Sequence, residues 1–291
     1  MKKIFVTFII ILIVVSMVAC VSYHESTDAT IFTNFTEWVE TYPTTICTTV
    51  PIEETEVKET EPILFDPNIT FEYEYVADNE HMPYALFTPS TAQNSDSIAL
   101  IVWLHGSGEV GANKETFVNR GLVKVLNEWS LDGFNAYVLC PHLSGRGNFG
   151  NWCNDRSSNG VKSLLDIMIA NYNINTDNII LVGHSLGGYG AEYMAVNLPD
   201  YFSKLVVLSG YKANIDREKI TIPTRGYVGT RGYGEDGASV DYMLNTFASV
   251  FGKENTFSIE TSHANLPNAV FNMDENSNGQ SDILEWMLIN N

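Results

Sequence analysis

Ile179-Ile180-Leu181-Val182-Gly183-His184-Ser185-Leu186-Gly187 is the stretch from which this chain is read. A β-branched apolar run ends in a Gly-x-Ser-x-Gly string, and a helical stretch, Gly187–Asn197, follows. Strand, tight turn and helix are the context that a nucleophile elbow requires. The turn forces the serine backbone into a strained conformation, and the flanking glycines remove side chains that would collide with the neighbouring strand and helix. Ser185 Oγ then stands exposed at the carboxyl end of a sheet as a candidate nucleophile.

The same alternation extends on both sides of the elbow. After Pro67, strand-like runs are read at Phe71–Val76, Tyr84–Thr88, Ile98–Leu104, Ala136–Cys140, Ile179–Val182, Leu205–Leu208, Gly226–Val228 and Phe257–Glu260. Helical stretches are read at Phe117–Trp129, Gly160–Tyr172, Gly187–Asn197, Val240–Phe251 and Ser281–Ile289. Strands separated by helices predict an α/β fold: a mostly parallel, roughly eight-stranded sheet with helices on both faces, spanning 66–291. The first two strands have no helix between them and are expected to form an antiparallel edge. No internal repeat is visible.

A serine hydroxyl needs a base to take its proton, and the chain has six histidines. His24 falls in a polar spacer, His81 precedes an edge strand, and His184 lies inside the elbow, where it is expected to point away from the nucleophile. His142 follows a strand and could line a pocket, but it precedes the serine in the chain. His263, in Thr261-Ser262-His263-Ala264-Asn265, follows the last strand with one helix still to come, and the Ser, acid, His order selects it as the base. The acid is then expected in the loop after Gly226–Val228, where Asp236 is the first choice and Glu235 the alternative. Asp241 reads as a first-turn charge of the next helix. The strand Ile98–Leu104 ends in His105-Gly106-Ser107-Gly108-Glu109, whose glycines let the backbone approach a bound carbonyl. The amides of Ser107 and Leu186 are the candidate oxyanion donors.

These three segments resemble the α/β-hydrolase superfamily, especially its esterase and depolymerase-like branches with a His-Gly-Ser-Gly-Glu type of turn after the third strand. The resemblance covers roughly Phe71 to the C-terminus. It implies hydrolysis of carboxylic esters, less often peptides, through an acyl-serine intermediate, with no redox or nucleotide cofactor for catalysis. The chain departs from the pattern at the acid: where family members carry a short Gly-x-x-Asp turn, Val228-Gly229 leads into the longer Thr230-Arg231-Gly232-Tyr233-Gly234-Glu235-Asp236. Two other readings stay open, a serine peptidase of the prolyl-oligopeptidase type and a catalytically silent surface-binding protein with the same fold. The expected substrate is a small-molecule or polysaccharide-linked ester.

Beyond the hydrolase pattern, Asp274, Asn276, Asn278, Asp282 and Glu285 occupy positions 1, 3, 5, 9 and 12 of a loop with Gly279 at position 6. That spacing matches a calcium loop and predicts a structural Ca2+. The alternative is a polar turn capped into the final helix. At the other end, Lys2 and Lys3 precede the apolar Ile4 to Val15, and Met17-Val18-Ala19-Cys20 resembles a bacterial lipobox. Residues 1–20 thus read as a lipoprotein-type signal peptide, with Cys20 the lipidated residue; an uncleaved anchor or an ordinary secretion signal are the other readings. All three place the domain outside the cytoplasm, and the first ties it to the membrane at the cell surface. Residues 21–65, rich in Thr and Glu, read as an acidic spacer. An oxidising compartment permits disulfides, and Cys140 with Cys153 is the expected pair. The formal charge of −19 would repel phosphate backbones, which argues against a nucleic-acid partner.

Overall fold

The computed structural model describes residues 70–77, 81–120, 123–124, 134–145, 150–210, 214–231, 238–275 and 281–289. The expected signal peptide, the spacer and Cys20 lie outside the described residues. Among these residues eight strands form one sheet: β1 (Phe71–Val76), β2 (Tyr84–Pro89), β3 (Ile98–Leu104), β4 (Ala136–Pro141), β5 (Ile174–His184), β6 (Lys204–Leu208), β7 (Thr224–Arg231) and β8 (Thr256–Ser262), in the order β1-β2-β4-β3-β5-β6-β7-β8. β1 pairs antiparallel with β2, and β2 with β4; every later pairing is parallel. The expected α/β architecture and its antiparallel edge are what the structure has.

Side-chain alternation explains why the central strands read as unbroken apolar runs. In β3, Ile98, Leu100, Val102 and Leu104 enter one core layer while Ala99, Ile101 and Trp103 enter the other. A strand covered on both faces has no polar side to show. Each large apolar side chain so buried stabilises the fold by roughly 1.5–3 kcal/mol, against the conformational entropy lost on ordering it. The first layer is closed by α2 (Asp155–Asn171), α3 (Leu186–Asn197) and α4 (Ala238–Phe251), after the short α1 (Lys114–Val118). The second layer is closed by Phe117 of α1, by α5 (Leu266–Phe271) and by α6 (Asp282–Leu288). Lys204, buried at the start of β6, donates from Nζ to the carbonyls of Trp286, Met287 and Ile289 and so holds the end of α6 to the sheet. Arg217 grips Glu192 of α3 with two bonds of 2.6 Å, fastening the loop after β6 to that helix.

Several expectations are corrected. Two helices follow His263 among the described residues, since α5 precedes the expected last helix. α5 is short, and Pro267 sits where a missing N–H costs nothing, so its pattern is weak in sequence. α1 lies at Lys114–Val118, and most of the stretch read as Phe117–Trp129 falls outside the described residues. β5 starts five residues before the apolar run, at Ile174, which pairs with Ile98 ahead of a register shift. Cys140 and Cys153 are not joined by a disulfide. Cys140 faces the second layer from β4, whereas Cys153 precedes α2, which covers the first.

Candidate active site

Parallel strands direct their carboxyl ends to one side of the sheet. The neighbours of β3 are β4 and β5, so the winding reverses there and leaves a crevice at those ends, where open α/β sheets bind ligands. His105 leaves β3, Ser185 leaves β5 and His263 leaves β8, so all three emerge on this side.

Ser185 has φ 56° and ψ −116°, one of two non-glycine residues with positive φ among those described. Such a conformation costs of order 1–3 kcal/mol and persists only where its surroundings impose it. Here Ser185 N donates to Leu208 O at 2.9 Å, and Tyr189 N donates to Ser185 O at 3.2 Å. The elbow is thereby clamped between β6 and α3. Close packing explains the glycines on each side. A Cβ on Gly183 would run into the Gly187 carbonyl, and one on Gly187 into the Leu104 carbonyl. The absence of a side chain at Gly187 lets the start of α3 press against the end of β3, which brings the elbow to the turn that follows β3.

That turn is fixed through its carbonyls. Trp152 Nε1 donates to His105 O at 3.0 Å, and Arg120 Nη1 donates to Gly108 O at 2.5 Å. His105 accepts from Leu143 N at Nε2 (3.0 Å), so its proton is on Nδ1, which donates to Gly106 O (2.7 Å). His142 Nε2 donates to Glu109 O at 3.1 Å, leaving Nδ1 to accept from Tyr75 OH at 2.9 Å. Burial pushes His105 down to about 3 and also lowers His142, so both are neutral rings holding backbone. His142 therefore lies buried beneath the turn, where sequence reasoning had it as a possible pocket residue. Ser107 and Leu186 each begin a helical turn, a position whose N–H has no acceptor within that turn. A Cβ on Gly106 would stand 3.5 Å from Ser185 Cβ and 3.6 Å from Glu109 Oε2, so the turn borders the serine directly. Burial raises the Glu109 carboxyl to about 7, with Arg120 opposing the rise.

His263 opens the 3-10 turn His263–Asn265, which Ser262 Oγ caps by accepting from Asn265 N at 3.3 Å. Burial lowers its pKa. Its ring centroid lies 4.7 Å from that of His184, and its carbonyl accepts from His184 Nε2 at 2.9 Å. β7 runs on to Arg231, three residues past its expected end, and both candidate acids, Glu235 and Asp236, lie outside the described residues. Asp241 is in the first turn of α4, as read. Of the candidate calcium ligands, Asn276 and Asn278 lie outside the described residues. Asp282 Oδ2 accepts from Glu275 N at 2.8 Å, and Glu285 lies in the first turn of α6. Sequence reasoning missed Trp152, Arg120 and Tyr75 as supports of the turn, because each acts on a backbone group far away in sequence.

An eight-stranded sheet in this order, covered by helices and bearing a serine at a strained strand-to-helix junction, is the α/β-hydrolase fold. Residues 157–263, from α2 through the elbow to His263, match the protein-family model Esterase ("Putative esterase"). Among solved structures, the chain is similar to a thermostable esterase, with 22% identity over 75% of this chain and a TM-score of 0.50. The chain spans 59% of that protein's length. It is also similar to fluorophosphonate-binding serine hydrolase F of Staphylococcus aureus, with 12% identity, 76% of this chain, 99% of that one and a TM-score of 0.50. A third is S-formylglutathione hydrolase of Staphylococcus aureus, with 15% identity, 75% and 98% coverage and a TM-score of 0.50. At these identities the likeness is one of fold. No curated protein matches the chain.

Proposed function

We propose that this protein is a serine hydrolase that cleaves carboxylic esters through an acyl-serine intermediate. The observation that carries the reading is the strained backbone of Ser185, held against the turn His105–Glu109 by the close approach of Gly187 to Leu104. In this reading Ser185 Oγ attacks the ester carbonyl carbon while His263 takes its proton. The amides of Leu186 and Ser107 receive the charge that develops on the carbonyl oxygen. Collapse of the tetrahedral species breaks the bond to the alcohol, which leaves with the proton from His263. Water, deprotonated by His263, then attacks the acyl carbon and releases the acid. The loop after β7 supplies the third member, Asp236 in preference to Glu235. The match to the Esterase model and the solved esterase and serine hydrolase folds support ester cleavage over the peptidase and silent-protein alternatives.

Ser185→Ala and His263→Ala should each lower ester turnover by several orders of magnitude and leave the fold intact, because triad members act as a unit. A fluorophosphonate should label the wild type at Ser185 and fail on Ser185→Ala. Near-wild-type turnover in either variant overturns the assignment. Asp236→Asn, which keeps shape but disfavours the required tautomer, should cost up to about 10⁴ in turnover, and Glu235→Gln should not.

The expected substrates are small-molecule or polysaccharide-linked esters. Met17-Val18-Ala19-Cys20 supports export with lipid attachment at Cys20, which places the enzyme at a bacterial cell surface. The spacing of Asp274, Asn276, Asn278, Asp282 and Glu285 supports a structural calcium ion held by those side chains, outside the chemical step.

A further inference from the structure

His184, expected to point away from the nucleophile, makes a directed bond from its ring to the backbone of the residue assigned as base. Nε2 lies 2.9 Å from the carbonyl oxygen of His263. A carbonyl can only accept, so the proton sits on Nε2 and Nδ1 is bare. The ring plane is fixed by stacking on Trp103, with centroids 6.4 Å apart and planes 15° apart. On its other side, Nδ1 stands 3.5 Å from where a Gly106 Cβ would be. Trp103 belongs to β3, Gly106 to the turn after it and His184 to β5, so the two central strands together define where this ring lies.

We infer that His184 is a positioning residue: its Nε2–H fixes the backbone of His263 and thereby the place of the base relative to Ser185. The inference rests on the triad reading above. His263 begins a 3-10 turn at the end of an edge strand, and among the described residues β7 alone pairs with that strand. The main-chain bonds of β8 stop at Ser262. Past it, the His263 carbonyl accepts from Leu266 N within the 3-10 turn, and His184, buried at the end of β5, adds a bond that reaches the same oxygen from the centre of the sheet. The arrangement also makes a single segment hold both reactive groups, since His184 precedes Ser185 directly. Among the described residues, the titratable groups around the His184 ring are His263 itself and, on the Gly106 side, Glu109. Burial holds His184 down at about 3, so it remains a neutral donor over the working range of the enzyme.

Glutamine and asparagine separate this role from mere filling of space. A glutamine amide nitrogen sits near the place of Nε2 and can still donate to the His263 carbonyl, whereas an asparagine amide stops near the place of Nδ1. The test measures kcat, KM and the pH profile of kcat/KM on p-nitrophenyl acetate for His184→Gln, His184→Asn and His184→Ala, beside His263→Ala. The Asn and Ala variants should lose about 10–100-fold in kcat with little change in KM, the size expected when a catalytic group is displaced by about an ångström. Their acid limb should move to higher pH, because a displaced His263 regains water. His184→Gln should keep most of kcat and the wild-type limb. Asn and Ala variants with wild-type kcat and an unmoved limb, measured while His263→Ala is inactive, overturn the inference and leave the triad standing. Loss in all three variants with an unmoved limb also overturns it, since the ring would then serve only packing. If His263→Ala itself turns over normally, the triad reading falls and this inference with it.

Discussion

Ser185 and His263, proposed above as nucleophile and base, are held in place differently. Ser185 sits in a strained backbone in the middle of the sheet, whereas His263 opens a capped 3-10 turn at its edge, its carbonyl accepting from Leu266 N and from His184 Nε2. The local environment of the base also sets its working range. A general base must be neutral, and burial lowers the His263 pKa below its ordinary value of 6.5. Burial by itself moves the acid limb of kcat/KM below pH 6.5, and the carboxylate proposed at Asp236 acts in the opposite sense, so Asp236→Asn should shift the limb to lower pH. A rate profile on a neutral ester measures this directly. A limb that stays in place in Asp236→Asn would mean that no carboxylate at that position acts on the base.

At the scale of elements, the strands were legible in sequence wherever both faces are buried. β3 and the second half of β5 are unbroken apolar runs because helices cover both sides of the sheet. The first half of β5, Ile174-Asn175-Thr176-Asp177-Asn178, was not legible, since its polar residues read as a turn and its pairing depends on Ile98 far away in sequence. α5 was missed for the same kind of reason: six residues with a proline at the start carry too short a period to detect. In the site, the elbow, the turn after β3 and His263 each carry a local string. The supports from Trp152, His142 and His184 carry none, because a side chain's reach to a distant carbonyl leaves no pattern in spacing. The segment between α5 and α6 is the element whose reading has an outside test. If Asp274, Asn276, Asn278, Asp282 and Glu285 hold calcium, the ion binds only the folded chain and stabilises it by linkage. Chelator should then lower Tm, by about 2.7 kcal/mol of stability relative to calcium at 100 times its Kd, with little direct effect on kcat. Identical melting curves with saturating calcium and with chelator would remove the ion and leave a polar turn capping α6.

Across the whole molecule, buried titratable groups around the site set how the fold responds to acid. His105 and His184 are each pushed from 6.5 to about 3 by burial. The unfolded chain takes up protons on both from about pH 6.5 downward while the folded chain does not, so each removes stability as pH falls. Two buried carboxyls act in the opposite sense. Glu109 is raised from 4.5 to about 7, and burial lifts Glu192 likewise against the pull of Arg217. Between about pH 7 and 4.5 the folded chain binds protons on these carboxyls that the unfolded chain does not, which offsets the histidines. The formal charge of −19 also diminishes as acid is added, and relief of its self-repulsion works in the same direction. Below pH 4.5 these two carboxyls are protonated in both states, and His105 and His184 each cost on the order of 1.4 kcal/mol per pH unit until about pH 3, with His142 and His263, also lowered by burial, acting in the same direction. Tm should accordingly stay nearly level from pH 7 to about 5 and then fall steeply. His105→Gln should lower Tm at neutral pH, because the turn loses a bond to Gly106, yet make the acid fall shallower by removing one of the buried titrating rings. Scanning calorimetry of both proteins from pH 7 to 3 measures the two slopes. A uniform decline over the whole range, or an acid slope unchanged in His105→Gln, would show that surface charge and not these buried rings governs acid unfolding.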